Sequence, residues 1–598
     1  MPIELERRRR IVVKQGRFSR VLLVILASGA FAAALMLGCG SGSARRASPQ
    51  TETAAKPAGP PQQLSADGQT QLRSVAQDGN LAELRWPNFS DYTKHVQKFY
   101  DLYGYSLPWV RDMQPTPEAQ QIIAVLLNAE QNGLSADDYD GPRWQARLAK
   151  LKPHVTQPSE ADAIAFDLAL TVCAMRYISD LHIGKVNPEH FDFHLNVESK
   201  KYDLPEFLKT NVVDASDVAG ALVQVEPPYP GYQRTIVALH KYLELAKQSS
   251  DLQLPALAAR AKPIVPGDNY PELPQLARFL QLVGDLPSTV TVSGSTVYQG
   301  PLVDAVKNFQ TRHGRTPDGK IDAQTLTDLN VPLSRRVHQM QLTLERWRWL
   351  PNEYHASPIV ANIPEFRVRA YDENLKVALS MNVVVGKAYG HNTPIFEDQM
   401  EYVVFRPYWS VPFSIARAEL LPRLAKDPDY LAKKNFAVVD SKQNVVTAGA
   451  VSADVLAQLR AGKLFIRENP GPTNSLGLVK FIFPNSYNIY MHDSPQRQLF
   501  SQSRRDFSHG CIRLERPADM AVWVLRNNPG AWDLAKVQAA MNGDAVSLQV
   551  NLAKPIPVFI VYGTAIVPES LEVEFFDDIY GQDAALEKVL VKGYPYPG

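Results

Sequence analysis

Two short stretches of this 598-residue chain hold residue types able to act together on a substrate: Tyr490-Met491-His492-Asp493-Ser494-Pro495 and Ser508-His509-Gly510-Cys511-Ile512-Arg513. A thiol is a weak nucleophile until a base takes its proton, and imidazole is the side chain matched to that task near neutral pH. Gly510 lets the backbone turn tightly and approach a substrate closely. The N–H groups of Gly510 and Cys511 are then placed to face a developing oxyanion. Two histidines compete for the role of base: His492, separated from Ser508 by fifteen residues, and His509, two positions before Cys511.

The cysteines sharpen this reading. There are three, Cys39, Cys173 and Cys511. Cys173 falls on a helical stripe with Phe166, Leu170, Tyr177 and Leu181, which predicts a buried, inert thiol. No pair is left for a disulfide. The N-terminus reads as an export signal: Arg7 to Arg10, Arg17 and Arg20 flank an uncharged, mostly apolar run from Val21 to Gly38. In an oxidising compartment an unpaired Cys511 calls for a chemical reason. The apolar run ends in Leu35-Met36-Leu37-Gly38-Cys39, which resembles a bacterial lipobox with Cys39 as the lipidation candidate, and it is also long enough to remain as a membrane span. Residues 1–39 are therefore expected to be an export signal with a membrane or lipid anchor, placing the protein in the periplasm or cell envelope.

Composition excludes other classes. Hydrophobic residues make up 45%, charged residues 21%, and the formal net charge is +1, so no basic field points to nucleic acid. No phosphate-cradling glycine loop precedes a helix, which argues against a nucleotide enzyme.

The elements that must position the two stretches belong to a multidomain α+β chain. Residues 40–71, rich in Ala, Pro, Ser, Gly and Gln, read as a flexible linker. Residues 72–265 read as a helical scaffold domain, with helices over Tyr92 to Tyr103, Glu118 to Asn132 and Ala161 to Leu181. In residues 271–332, Val303, Val306 and Phe309 form an apolar helix face. Thr316-Pro317-Asp318-Gly319 makes a turn, and Asp322 is the expected N-cap of a following helix. From 355 to 545 the period changes to two, in runs such as Val377 to Val385, Tyr402 to Phe405 and Val479 to Phe483, predicting a mainly β domain. Within it, residues 413–469 read as a helical capping insertion. Residues 546–598 are expected to be a C-terminal extension packed on the scaffold and β domains.

The spacing from His492 to Ser508-His509-Gly510-Cys511 resembles the signature of the YkuD-type L,D-transpeptidase family. Arg513 stands where Asn is usual, a variant that also occurs there. Phe99 to Trp109, Ala129 to Leu134, Pro407 to Pro412, Pro470-Gly471-Pro472 and Asp577 to Gly581 resemble the large YcbB-type subgroup, so the likeness spans roughly residues 80 to 585. Ala305-Val306, Phe309-Gln310, Gly314, Asp318-Gly319, Thr325 and Leu329 resemble a small three-helix peptidoglycan-binding domain, with Arg315 in place of the usual Leu. The resemblance implies Cys511 as nucleophile and His492 as base. It also implies substrate contacts at Ser508, Arg513, Tyr490, Trp409 and His509, with Arg513 suited to a diaminopimelate carboxylate. The implied reaction forms a thioester between Cys511 and a donor tetrapeptide stem, releases D-Ala, and passes the acyl group to an amine as a 3–3 cross-link. It needs no metal or organic cofactor. Peptidoglycan stem peptides and glycan strands are the implied partners, and carbapenem-type inhibitors are expected to trap the thiol. The rival readings are a hydrolase on the same fold and a catalytically silent wall-binding scaffold.

Overall fold

The computed structural model describes residues 59–593 apart from 153–158, 216, 249–252, 258–260, 292–294, 353–356 and 389. The expected anchor, Cys39 included, lies outside the described residues. Among the described residues no helix is long and apolar enough to cross a membrane.

The folded chain begins earlier than its composition predicts. Gln62 bridges to Leu107, and Ser65 caps helix α1 (Ala66–Asp78) while its hydroxyl bonds Glu160. The expected linker to residue 71 therefore ends inside a helix, because a capping serine and a buried face of Gly68, Leu72 and Ala76 outweigh the polar composition. The scaffold continues through α2 (Thr93–Leu102), α3 (Pro117–Leu127) and α4 (Glu160–Ile183). Helix α4 is apolar on nearly every side and runs through the middle of the scaffold core. Its Asp167 is accommodated by Tyr100 Oη and the Trp109 N–H, each at 2.8 Å. Cys173 is buried in this helix with its thiol pushed well up by burial, and neither Cys173 nor Cys511 is bridged.

Helix α5 (Pro230–Gln248) leads to a three-helix unit, α6 (Leu273–Val283), α7 (Pro301–Arg312) and α8 (Ala323–Leu329). Asp322 caps α8 by accepting the Thr325 N–H at 2.7 Å. Arg315 forks between Asp328 and Asp577, with contacts of 2.6 to 3.0 Å, tying this unit to the C-terminal segment. The long helix α9 (Leu333–Arg348) then carries the chain into the β domain.

A nine-stranded sheet follows. Its strands are β1 (Ile359–Asn362), β2 (Arg367–Tyr371), β3 (Val377–Gly386), β4 (Phe396–Phe405), β9 (Val479–Ile482), β10 (Met491–His492), β11 (Asp506–Ser508), β12 (Ile512–Leu514) and β13 (Leu548–Val561). The order is β11-β3-β12-β10-β9-β4-β13-β1-β2, and an additional β2–β3 pairing closes it on itself. Closure explains why one face of each strand, such as Phe481, Met491 and Ile512, is fully buried. Strand β13 lies between β4 and β1, so the sheet extends past residue 545. The segment from 546 is part of the β domain before it becomes an extension.

The insertion differs from the expected helical cap. It contains a separate four-stranded sheet, β5 (Trp409–Ser410), β8 (Phe465–Glu468), β6 (Phe436–Val439) and β7 (Val445–Thr447), in that order. Short helical turns and α10 (Ala453–Arg460) pack on it. Leu420, Leu424, Phe436, Val438, Leu459 and Ile466 form a hydrophobic core of its own. This core is separate from that of the nine-stranded sheet.

Candidate active site

Three neighbouring strands assemble the site. Lys480 on β9 is directly opposite His492 on β10, and His492 is directly opposite Arg513 on β12. Successive side chains on a strand alternate faces, so the inward Phe481, Met491 and Ile512 leave Lys480, His492 and Arg513 together on the other face. Cys511 immediately precedes β12, and its neighbour Ile512 donates its N–H to the Tyr490 carbonyl at 3.1 Å. Tyr490 and Cys511 therefore sit one strand step along from the His492–Arg513 pair, on the same face.

The sulfur is held by several groups. Tyr490 offers it both its backbone N–H and its phenol, and Trp409 in turn bonds the Tyr490 oxygen. The thiol points at the Asn488 carbonyl, 3.8 Å away. Burial pushes Cys511 up to about 11, with Tyr490, Arg513 and Lys480 pulling the other way. In the resting site the sulfur is thus a protonated thiol whose hydrogen rests on a carbonyl.

His492 is buried, and its Nδ1 lies 2.5 Å from the Asp493 carbonyl oxygen. A carbonyl only accepts, so Nδ1 carries the proton and Nε2 the lone pair. Burial, then the Arg513 cation, push His492 down to about 3. The ring is therefore neutral at every physiological pH. The Asp493 carboxylate is occupied elsewhere, accepting the Leu478 and Ser494 N–H groups at 2.9 and 2.7 Å.

His509 faces away from this cluster. Its Nε2 meets Glu419 of the insertion at 2.7 Å, and its ring packs edge-on to His391 with centroids 4.8 Å apart. It joins the Ser508–Cys511 loop to the insertion. Ser508 was expected to touch substrate. It is instead buried at 2% exposure, donating to the Cys511 carbonyl at 2.6 Å and accepting the Gly510 N–H at 3.1 Å. A hydroxyl with both roles filled inside its own loop is a clasp. The same bond engages the Gly510 N–H, so the expected pair of oxyanion donors is reduced to Cys511. Gly510 itself has φ +119°, and a β-carbon there would meet Ile489 at 3.0 Å, which accounts for the glycine. Arg513 reaches Gln496 Oε1 at 2.5 Å and leaves its Nε buried without a partner.

Several contributors escaped the motif reading. Thr393 accepts the Gly386 N–H at 2.8 Å and donates to the Gly510 carbonyl at 2.7 Å. Tyr580 bonds both Thr393 and Gly386, so the C-terminal segment braces the loop that ends at Cys511. Asn488 and Lys480 were also missed, although Lys480 had a signal, being the lone charge in an apolar strand.

The resting thiol has a measurable consequence. With Cys511 near 11, about 10⁻⁴ of it is thiolate at pH 7. Alkylation by iodoacetamide should be slow at pH 7 and rise about tenfold per pH unit up to about pH 10. A rate already at its plateau by pH 8 would contradict a resting protonated thiol.

Three stretches of the chain match known families. Residues 357–546 match the family described as L,D-transpeptidase catalytic domain, residues 269–329 the "Putative peptidoglycan binding domain" family, and residues 94–239 a scaffold domain family. A Haemophilus influenzae protein named "Putative L,D-transpeptidase" is 28% identical over 310 residues, covering 50% of this chain and 60% of that protein.

Proposed function

Residues 357–546 form an L,D-transpeptidase catalytic domain, accompanied by peptidoglycan-binding and scaffold domains, and from that premise we propose that the chain forms 3–3 cross-links in peptidoglycan through a thioester on Cys511. The observation carrying this reading is the shared strand face on which a thiol with two donors from Tyr490, a neutral imidazole with its lone pair on Nε2, and two cations lie together.

In this mechanism His492 takes the Cys511 proton as sulfur attacks the carbonyl of the third stem residue. The Cys511 N–H faces the oxyanion, and His492 returns the proton to the nitrogen of the departing D-Ala. An acceptor amine then repeats the sequence in reverse, its lost proton passing to His492. Cell-envelope residence, anchoring through residues 1–39 and trapping by carbapenems belong to the same proposal.

The insertion serves as a lid that keeps water from the thioester until an amine arrives. Its separate core and its contact from Glu419 to His509 support that role. Mass spectrometry of products from purified tetrapeptide stems tests the whole. The expected products are D-Ala and a 3–3 dimer, and replacing residues 413–469 by a short Gly/Ser loop should raise the ratio of hydrolysed tripeptide to dimer. Tripeptide alone from the intact protein would make it a hydrolase, and an unchanged ratio in the active loop variant would leave the insertion as scaffold.

A further inference from the structure

Two cations on the catalytic face have no carboxylate to answer them. Among the described residues, the one charge partner of Lys480 is Cys511, and the same is true of Arg513. The nearest acids in sequence are committed elsewhere. Asp493 holds the backbone at Leu478 and Ser494, and Glu515 accepts the Asn382 N–H at 3.1 Å. Lys480 is only partly exposed, its ammonium 5.9 Å from the centre of the Tyr490 ring. Setting two cations in partial burial without counter-ions is costly, and a site that does so is built to receive an anion.

The two cations are not equivalent. Arg513 is held by Gln496 Oε1, whereas no hydrogen bond restrains Lys480 among the described contacts. Both are direct cross-strand neighbours of His492. Under the function proposed above, His492 delivers a proton to the nitrogen of the departing residue. The carboxylate of that residue is two bonds from the same nitrogen. Of the two cations opposite His492, the unrestrained Lys480 is therefore the one free to meet this carboxylate.

We propose that Lys480 is the receptor for the C-terminal carboxylate of the donor peptide, and so a determinant of specificity for donors that end in a free acid. This rests on the transpeptidase reading and adds a residue and a substrate group to it. It also gives donor binding a second effect. A carboxylate docked on Lys480 cancels one of the charges that disfavour a proton on His492, so the base strengthens when a donor is present. The proton passes from Cys511 Sγ to His492 Nε2, the sulfur–carbon bond forms, the carbon–nitrogen bond breaks, and the proton leaves on the amine of the released residue.

The alternative is that Lys480 serves only as a counter-ion to the thiolate. Acylation of the full chain by a tetrapeptide donor and by the same donor with a C-terminal carboxamide separates the two. For the wild type, kcat/KM should favour the acid by about 10- to 100-fold, the worth of one charge-assisted contact. In Lys480→Met that preference should fall to about threefold or less, through loss of rate with the acid donor, while Lys480→Arg should keep most of it. If Lys480→Met slows both donors equally and keeps the preference, Lys480 does not bind the carboxylate and the proposal is overturned. A wild type with no preference overturns it as well. If neither donor acylates the wild type, the transpeptidase reading fails and takes this proposal with it.

Discussion

Cys511→Ala should abolish D-Ala release and acyl transfer, a loss of about 10⁴-fold or more, as expected when a covalent nucleophile is removed. The two hydroxyls left beside the site are poor substitutes. Tyr490 is pushed far above its ordinary range by burial, and Ser508 is buried with its hydroxyl spent within the loop. The loss should come without unfolding. Cys511 is partly exposed, and its loop is held by Ser508, by Thr393 and by the Ile512 N–H, none of which uses the sulfur. A melting curve unchanged from wild type, with no turnover, is the expected pair of results. Retained turnover in Cys511→Ala would remove the thioester from the mechanism.

The second large effect separates the two histidines. His492→Ala should lower kcat by about 10²–10⁴-fold, the usual cost of losing a positioned base. His509→Ala should cost no more than about fivefold, because what it loses is a solvent-exposed pair with Glu419. The sequence alone left both in contention, and the structure gives them different partners. His492 has its Nδ1 proton on a carbonyl and cations to either side, while His509 reaches the insertion. A folded His509→Ala variant that is inactive beside a largely active His492→Ala would reverse the assignment.

The candidate site was legible in the sequence where it is local. A thiol after a glycine and a histidine at family spacing are readable without coordinates, and so is the N-cap Asp322, because a cap is set within a few residues. Other features depend on long-range pairing. The insertion reads as helical because Ala453 to Leu459 has a clear helical stripe. Its strands Phe436–Val439 and Phe465–Glu468 are four residues each, too short to show a period. Residue 545 looked like a domain end, although Leu548–Val561 enters the sheet beside strands far earlier in the chain. Ser508 shows the limit within the motif itself: a small polar residue beside a nucleophile suits a substrate contact and a loop clasp equally, and only its hydrogen bonds decide. Lys480 was readable in principle, since a single charge on an otherwise apolar strand needs a reason. The brace from Tyr580 through Thr393 to Gly510 was not, because it joins residues brought together by the closed sheet.

The central claim is a thioester on Cys511, and its most direct test is the intact mass of the protein quenched in acid during turnover of a tetrapeptide donor without acceptor. The account predicts an added mass equal to the donor less D-Ala, mapped by peptide analysis to Cys511, and no such addition in Cys511→Ala. D-Ala release by a protein that never carries this mass, or an adduct on a different residue, would contradict it.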